Sequence, residues 1–183
     1  SGGAEMILRP NLTHAGANLP IFYARRFAGD FSFAARRGML ATTFDSLLGA
    51  WSAQGPTLYT IVRIHEHPDW SVDKILDEYY SGFGKAAEAI KKYFEYWENH
   101  SDSLDEEAVR RYCQEETGKK GVPGGSFKNY VLIASRLFPP EVFANAHNLI
   151  DKAKENAQGD KLAEQRVAFI EKGPDSVNFF AES

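Results

Sequence analysis

The sequence predicts a mainly α-helical protein, and three observations predict it. Apolar residues recur at intervals of three and four through most of the chain, the spacing that lines one face of a helix. Glycine and proline separate these stripes into segments of helical length. Only one short segment, Met39-Leu40-Ala41-Thr42-Thr43-Phe44, is apolar and β-branched in the manner of a strand. Hydrophobic residues make up 43% and charged residues 25% of the chain, the balance of an ordinary globular domain rather than a disordered or fibrous one. The aromatic content is high at 13%, and because the rings fall at helical spacings they belong first to packed helix faces.

Taken in order, residues 1 to 19 have glycine, proline and asparagine but no sustained period, so they are expected to form an extended lead-in. From Pro20 onward, Ala24, Phe27, Ala28, Phe31, Ala34 and Ala35 make a helical stripe that stops at Gly38, with Pro20 where a first turn tolerates it. The candidate strand at residues 39 to 44 has no evident sheet to join, and is expected to be irregular or to pair with another molecule. Gln54-Gly55-Pro56 punctuates the chain before a short apolar helix, Leu58 to Ile64, that Pro68 closes. Ser71 fits an N-cap, with Trp70 placed to pack on Ile75 as a hydrophobic staple. Val72, Ile75, Leu76, Tyr79 and Tyr80 form the buried face of that helix.

Gly82 and Gly84 break the pattern before a longer helix with Ala86, Ala89, Ile90, Tyr93, Phe94 and Trp97 on its apolar side. Ser103 and Glu106 fit a capping box for a helix through Tyr112 and Cys113, ended by Gly118. Lys119 to Gly125 reads as a loop. Val131, Ala134, Leu137 and Phe138 mark a helix stopped by Pro139-Pro140, and Pro140 can open the next, with its stripe from Phe143 to Ala157. Gly159-Asp160 turns the chain into a last helix carrying Ala163, Val167 and Ile170, closed by Gly173-Pro174. Short connections between amphipathic helices favour antiparallel neighbours. The expected organisation is therefore a lead-in at 1–19, a helix and strand segment at 20–68, and an antiparallel helical bundle over 69–183.

Charge and cysteine usage narrow the function classes. Net charge is −4, with 21 basic against 25 acidic residues and no basic tract long enough to track a phosphate backbone, so nucleic acid is not an expected partner. No apolar run approaches the about 20 residues needed to cross a bilayer, and no membrane partner is expected. Ser1-Gly2-Gly3 reads as the scar of a tag, so the N-terminus says nothing about export. Cys113 is the only cysteine, which leaves no intramolecular disulfide and no cysteine-based zinc site. Tyr112 and Val109 beside it suggest a buried, structural thiol.

Few constellations carry chemistry. His65-Glu66-His67-Pro68-Asp69 has metal-ligand residue types, but a spacing of two sends the imidazoles in different directions on a helix, and a solvated turn is expected instead. Gly82-Phe83-Gly84-Lys85 lacks the length of a phosphate loop and the hydroxyl after the lysine. Neither a metal nor a cofactor is expected. Tyr79, Tyr80, Phe83, Tyr93, Tyr96 and Trp97 suit a carbohydrate-stacking surface by type, yet half of them sit on apolar stripes, which assigns them to the core. Asp77-Glu78 and Glu106-Glu107 fall on polar helix faces.

The run Trp51-Ser52-Ala53-Gln54-Gly55-Pro56-Thr57-Leu58-Tyr59, with Asp69-Trp70-Ser71, Tyr79 to Gly84 and Tyr93 to Glu98, resembles the distal part of a bacterial family. Its members are large glycoside-hydrolase-like proteins, catalogued as domain of unknown function 4838 and similar to α-glucuronidases and hexosaminidases. A second stretch, residues 144 to 167 with Gln165-Arg166-Val167, carries the same resemblance.

The resemblance implies a (β/α)8 barrel mostly upstream of this chain, with residues 20 to 68 as a barrel remnant and the helices as a C-terminal portion, inactive alone. The upstream barrel of the same parent is the implied partner, together with a carbohydrate. Trp51 and Asp45 are the implied substrate-binding residues, Trp51 on the floor of a sugar pocket and Asp45 contacting hydroxyls at the end of the candidate strand. A glycosidase needs two carboxylates about 5 to 10 Å apart, and Asp45 is the only one between Met39 and Tyr59. No catalytic residue is therefore assigned to this chain. Two alternatives accompany this expectation. One is a stand-alone helical module that binds protein or glycan, and the other a homodimer in which residues 20 to 68 repack to hide an apolar face.

Overall fold

The computed structural model describes residues 5–10, 19–44, 50–116 and 133–181, with side chains as far as Gly173. Among these, the chain is mainly helical with one small parallel sheet. Strand β1 is Met6–Leu8 and β2 is Met39–Thr42, joined through helix α1, Ala24–Ala35. The pairing aligns Met6 with Met39 and Leu8 with Thr42, with an irregularity after the first pair, and the Thr43 amide extends the ladder to the Leu8 carbonyl at 2.9 Å.

β1 corrects the expectation of an unstructured lead-in. Three residues are too few to show a period of their own, and what makes them a strand is a partner more than thirty positions away. It also supplies the sheet that β2 lacked, within the same molecule. Leu8 and Met39 face a small core made by Phe27, Ala28 and Phe31 of α1 with Ile61, Ile64 and Ile75.

α1 begins at Ala24 rather than at Pro20. Leu19, Ile21 and Phe22 are buried as an irregular strap; the Ile21 amide donates to the Leu19 carbonyl at 2.8 Å within it, and side chains from outside meet other backbone groups. Gln54 Nε2 donates to the Leu19 carbonyl at 2.9 Å, Thr57 Oγ1 accepts from the Tyr23 amide at 3.1 Å, and Ser101 Oγ accepts from the Phe22 amide at 3.1 Å. Buried backbone groups need partners, and here the side chains of Gln54, Thr57 and Ser101 provide them in place of a helical turn. Gly38, at φ +82°, then reverses the chain into β2.

α2 is Trp51–Glu66, longer than expected because a broken first turn precedes Gly55-Pro56. Gln54 has the non-helical angles φ −124°, ψ 17°. That break accommodates Pro56, which has no amide to donate and whose ring would strike the carbonyl four residues back in a regular helix. α3, Val72–Ser81, begins as the sequence predicts: Ser71 Oγ accepts from the Lys74 amide at 3.2 Å, and Trp70 packs on the cluster containing Ile75.

A 3-10 turn, Gly84–Ala86, leads into α4, Ala87–Ser103, whose buried residues are the expected Ala89, Ile90, Tyr93, Phe94 and Trp97. The start of α5, Glu106–Glu116, differs from the expected capping box. Ser103 ends α4, donating to the His100 carbonyl at 2.7 Å, and Asp105 caps α5 through the Glu107 and Ala108 amides at 3.3 and 3.1 Å. Gly118, Val131 and the loop at 119–125 lie outside the described residues.

α6, Ala134–Leu137, is a single turn before Pro139-Pro140, and α7, Pro140–Ala157, opens with Pro140 at its first turn. Gly159, at φ +77°, and Asp160, which caps with Oδ1 at 3.2 and 3.1 Å from the Leu162 and Ala163 amides, start α8.

α8 runs Lys161–Ala181, past the Gly173-Pro174 that was expected to close it. Its reason is tertiary. α8 packs on α2 as well as on α7, and Gly173 lies so close that a Cβ there would sit 2.9 Å from the Ser52 carbonyl group. The glycine serves as a contact between helices rather than as a stop. The main core, with Trp97, Tyr93, Phe94, Phe138 and Phe143 at its centre, is enclosed by α3, α4, α7 and α8 together with the strap at 19–23.

Two glycine substitutions should therefore move stability in opposite directions. Gly173→Ala forces α2 and α8 apart at the backbone and should cost about 1–3 kcal/mol. Gly29→Ala meets nothing within 4 Å in the middle of α1 and should gain about 0.5–1 kcal/mol from helix propensity. Urea midpoints of the two variants at unchanged m-value check both.

Candidate functional site

Because α8 is pressed onto the first turn of α2 at Gly173, the residues one and two turns earlier on α8 come to the same side as the start of α2. Phe169 and Arg166 are those residues, and with Trp51 they bound a cleft of about 350 Å³. Trp51 is 48% and Phe169 50% exposed. α2 also contributes Tyr59, and α3 contributes Glu78 and Tyr79, with Gly82 and Phe83 just beyond its end. The floor is aromatic: Tyr79 meets Tyr59 at 5.4 Å and Phe83 edge-on at 5.5 Å between ring centroids. The Tyr79 hydroxyl stands over Gly55, where a Cβ would come within 2.2 Å of it.

Glu78 is the only carboxylate among the described lining residues. Arg63 grips it with Nε and a terminal nitrogen, both at 2.9 Å, and the same guanidinium also pairs with Glu66. A two-pronged arginine contact of this kind is among the stronger hydrogen-bonded pairs. The Tyr59 hydroxyl also lies beside Glu78. The Arg63 hydrogen bonds, aided by Tyr59, outweigh partial burial and hold Glu78 below the usual carboxylate range. Tyr59 moves the other way, raised by burial and by the adjacent Glu78 charge. Across the cleft, Arg166 donates to the Gly82 carbonyl.

This arrangement can bind but has poor means of transferring a proton. A general acid at neutral pH needs a carboxyl raised by its surroundings, and Glu78 is held ionised. A hydrolytic pair needs a second carboxylate, and the described residues of the lining include none. What the cleft offers is a fixed acceptor in Glu78, a fixed donor in Arg166 and two half-exposed aromatic faces.

Trp51, expected to bind substrate, is at the cleft's rim. Asp45, its expected companion, lies outside the described residues. His65 is exposed beside the small core with both ring nitrogens engaged: Nδ1 is 2.6 Å from the Ile61 carbonyl oxygen, Nε2 is 2.6 Å from Thr42 Oγ1, and the Phe31 ring lies edge-on at 4.7 Å. His67 stacks on Trp70 at 4.0 Å. Among the described residues no group of three or more potential ligands could hold a metal ion. Cys113 is buried, and burial pushes its thiol up, so it has the character of an apolar core residue.

No binding role attaches to Glu78, Arg166, Phe169 or Tyr59 from the sequence. Glu78 reads as one more charge on a polar face, which by itself it is. Phe169 carried the one usable signal, a large aromatic set off the stripe of Ala163, Val167 and Ile170. Tyr79 is both core-facing and part of the cleft floor, which a two-way division into core and surface misses. Comparison with known protein families, characterised proteins and solved structures finds no match for this chain.

The Glu78 environment sets a pH dependence. A carboxylate whose folded pKa lies below its ordinary value of 4.5 adds stability that is complete above that value and is lost as pH falls through the folded one. The wild type should therefore exceed Glu78→Gln in stability near neutrality, and the gap should close below about pH 4. Paired thermal melts across pH 2–7 measure the gap. A difference independent of pH would show that the Arg63 pairing does not act through the Glu78 charge.

Proposed function

We propose that this chain is the C-terminal, mainly helical portion of a glycoside-hydrolase-like protein, supporting a catalytic barrel encoded upstream and inactive by itself. In this reading α3 to α8 form an up-and-down antiparallel bundle, and the β1-α1-β2 unit with the start of α2 is the last part of the (β/α)8 barrel. The resemblance of residues 49 to 98 to the large glycoside-hydrolase-like family suggests the parent. One structural observation supports the incompleteness: the two parallel strands present Ile7, 57% exposed, and Leu40, 62% exposed, on the side away from the small core. Parallel strands joined through a helix are ordinarily covered on both faces, so two strands with one bare apolar face suit a sheet that continues into neighbouring strands. Trp51 and Asp45 would then border the sugar pocket of the parent.

A second reading, a stand-alone glycan-binding helical module, is favoured by a different observation. The Trp51 cleft is built from α2, α3 and α8 and owes nothing to the bare sheet.

The product of the complete native reading frame and residues 1–183 should be compared on a panel of aryl glycosides and glucuronides. Hydrolysis by the longer product alone supports the enzyme reading, and no hydrolysis by either leaves the binding module. Leu40→Glu refines the comparison. In residues 1–183 the side chain already faces water, so its cost should stay within about 0.5 kcal/mol. In the longer product it would place a charge against the rest of the barrel, and activity should fall with folding yield.

A further inference from the structure

We infer that the cleft between Trp51 and Phe169 binds a neutral pyranose ring of a glycan, in this chain and without the barrel. The inference rests on the carbohydrate reading above and adds the site, its residues and the charge class of its ligand. The cleft volume of about 350 Å³ and its apolar lining with a few fixed polar groups are those of a small-molecule site.

The aromatic rings make the first argument. Of the three tryptophans, Trp97 is buried in the main core and Trp70 is covered by His67 and by the Lys74 ammonium 3.6 Å above its ring. Trp51 alone is open, and Phe169 from another helix is open at the same cleft. Two uncovered aromatic surfaces brought together by the Gly173 contact give a platform for the C–H face of a sugar ring, which is apolar while its edge is polar.

The polar groups make the second. A carboxylate has roughly four acceptor sites. Arg63 takes two on Glu78, which leaves acceptor capacity for a ligand hydroxyl. Arg166, oriented by the Gly82 carbonyl, has donor capacity on the facing side. An anionic ligand would meet Glu78, which stays ionised through the physiological range, and a cationic one would meet Arg166. Their charges cancel, so a ligand with both donors and acceptors and no net charge fits best, as the hydroxyls of a neutral sugar do.

The test is a titration of residues 1–183 with cellobiose, maltose and N,N′-diacetylchitobiose, with glucuronic acid and glucosamine as charged comparators. Indole signals in NMR spectra and tryptophan fluorescence report binding. A saturable change at the Trp51 indole is expected with at least one neutral sugar. Followed by calorimetry, because Trp51→Ala removes the reporting indole, Trp51→Ala and Phe169→Ala should each weaken binding by about tenfold or more, and Glu78→Gln should weaken it as well. Phe33→Ala, an exposed ring on α1 outside the cleft, should leave it unchanged. Because the Trp51 and Phe169 side chains are half in water, both variants should keep the wild-type melting profile.

No saturable binding up to about 10 mM, binding indifferent to both ring deletions, or preference for a charged sugar would each overturn the inference. Failure here is separable from failure of the enzyme reading. Hydrolysis by the complete product with no sugar bound by residues 1–183 would remove the site and keep the enzyme. Cleft binding with no hydrolysis by the complete product would do the reverse.

Discussion

The backbone of α2 between Ser52 and Thr57 is the surface on which the rest of the molecule closes. Gly55 lies under the Tyr79 hydroxyl of α3, and the Ser52 carbonyl lies against Gly173 of α8. Gln54 and Thr57 hold the strap at Leu19 and Tyr23. Each contact needs the helix to be irregular or bare at that point: a glycine where a ring approaches, and a break at Gln54 ahead of Pro56. A regular helix there would keep its own hydrogen bonds and lose three packing partners. The broken turn also sets Trp51 at the rim rather than in the core, so the cleft follows from the same constraint.

Two half-buried carboxylates show how local geometry decides the sign of an electrostatic effect. Glu78 is lowered because hydrogen bonds from Arg63 outweigh its burial. Glu98 is raised because burial outweighs an Arg25 contact at 2.9 Å, with Asp102 and Glu95 adding to the shift. Arg25 itself is opposed by burial but ends raised through Asp73 and Glu98. Arg25 divides its guanidinium between two acids on different helices, whereas Arg63 presents a two-pronged fork to Glu78 and its remaining nitrogen to Glu66 of its own helix. The first arrangement ties α1 to α3 and α4 at some cost to the Glu98 charge. The second fixes a single anion in place at the edge of a cleft. Exposed pairs of this kind add little to stability, so their value lies in orientation.

Most of the helical fold was legible because it is written in local periods. The stripes of α3, α4, α7 and α8, the Ser71 cap and the Pro140 start all depend on residues within a turn or two of one another. The differences lie where a distant partner decides. β1 exists through β2, the strap at 19–23 through side chains of α2 and α4, and the continuation of α8 through its crossing with α2. The Ser103 box lost to Asp105 because both positions offer the same chemistry and α4 continues past Trp97, the last residue of its apolar stripe, as far as Ser103. The cleft was legible only in part, through Trp51. Glu78 acquires its role from Arg63, fifteen residues earlier, and Arg166 and Phe169 acquire theirs from Gly173, which as sequence reads as a terminator.

The two unfinished surfaces of this molecule make different physical demands. The bare sheet face is apolar, with Ile7 and Leu40 in water and backbone edges on strands of three and four residues. Such a face gains from permanent cover and offers no group to tell one apolar partner from another. The Trp51 cleft is small, carries one acceptor and one donor in fixed positions, and has its carboxylate already paired with Arg63 of the same chain. It needs no cover for the fold to hold, because Tyr79, Phe83 and Ile170 seal the core beneath it. A surface of the first kind suits continuous structure, and one of the second suits an exchangeable ligand. That division is the physical reason for assigning assembly to the sheet and recognition to the helices.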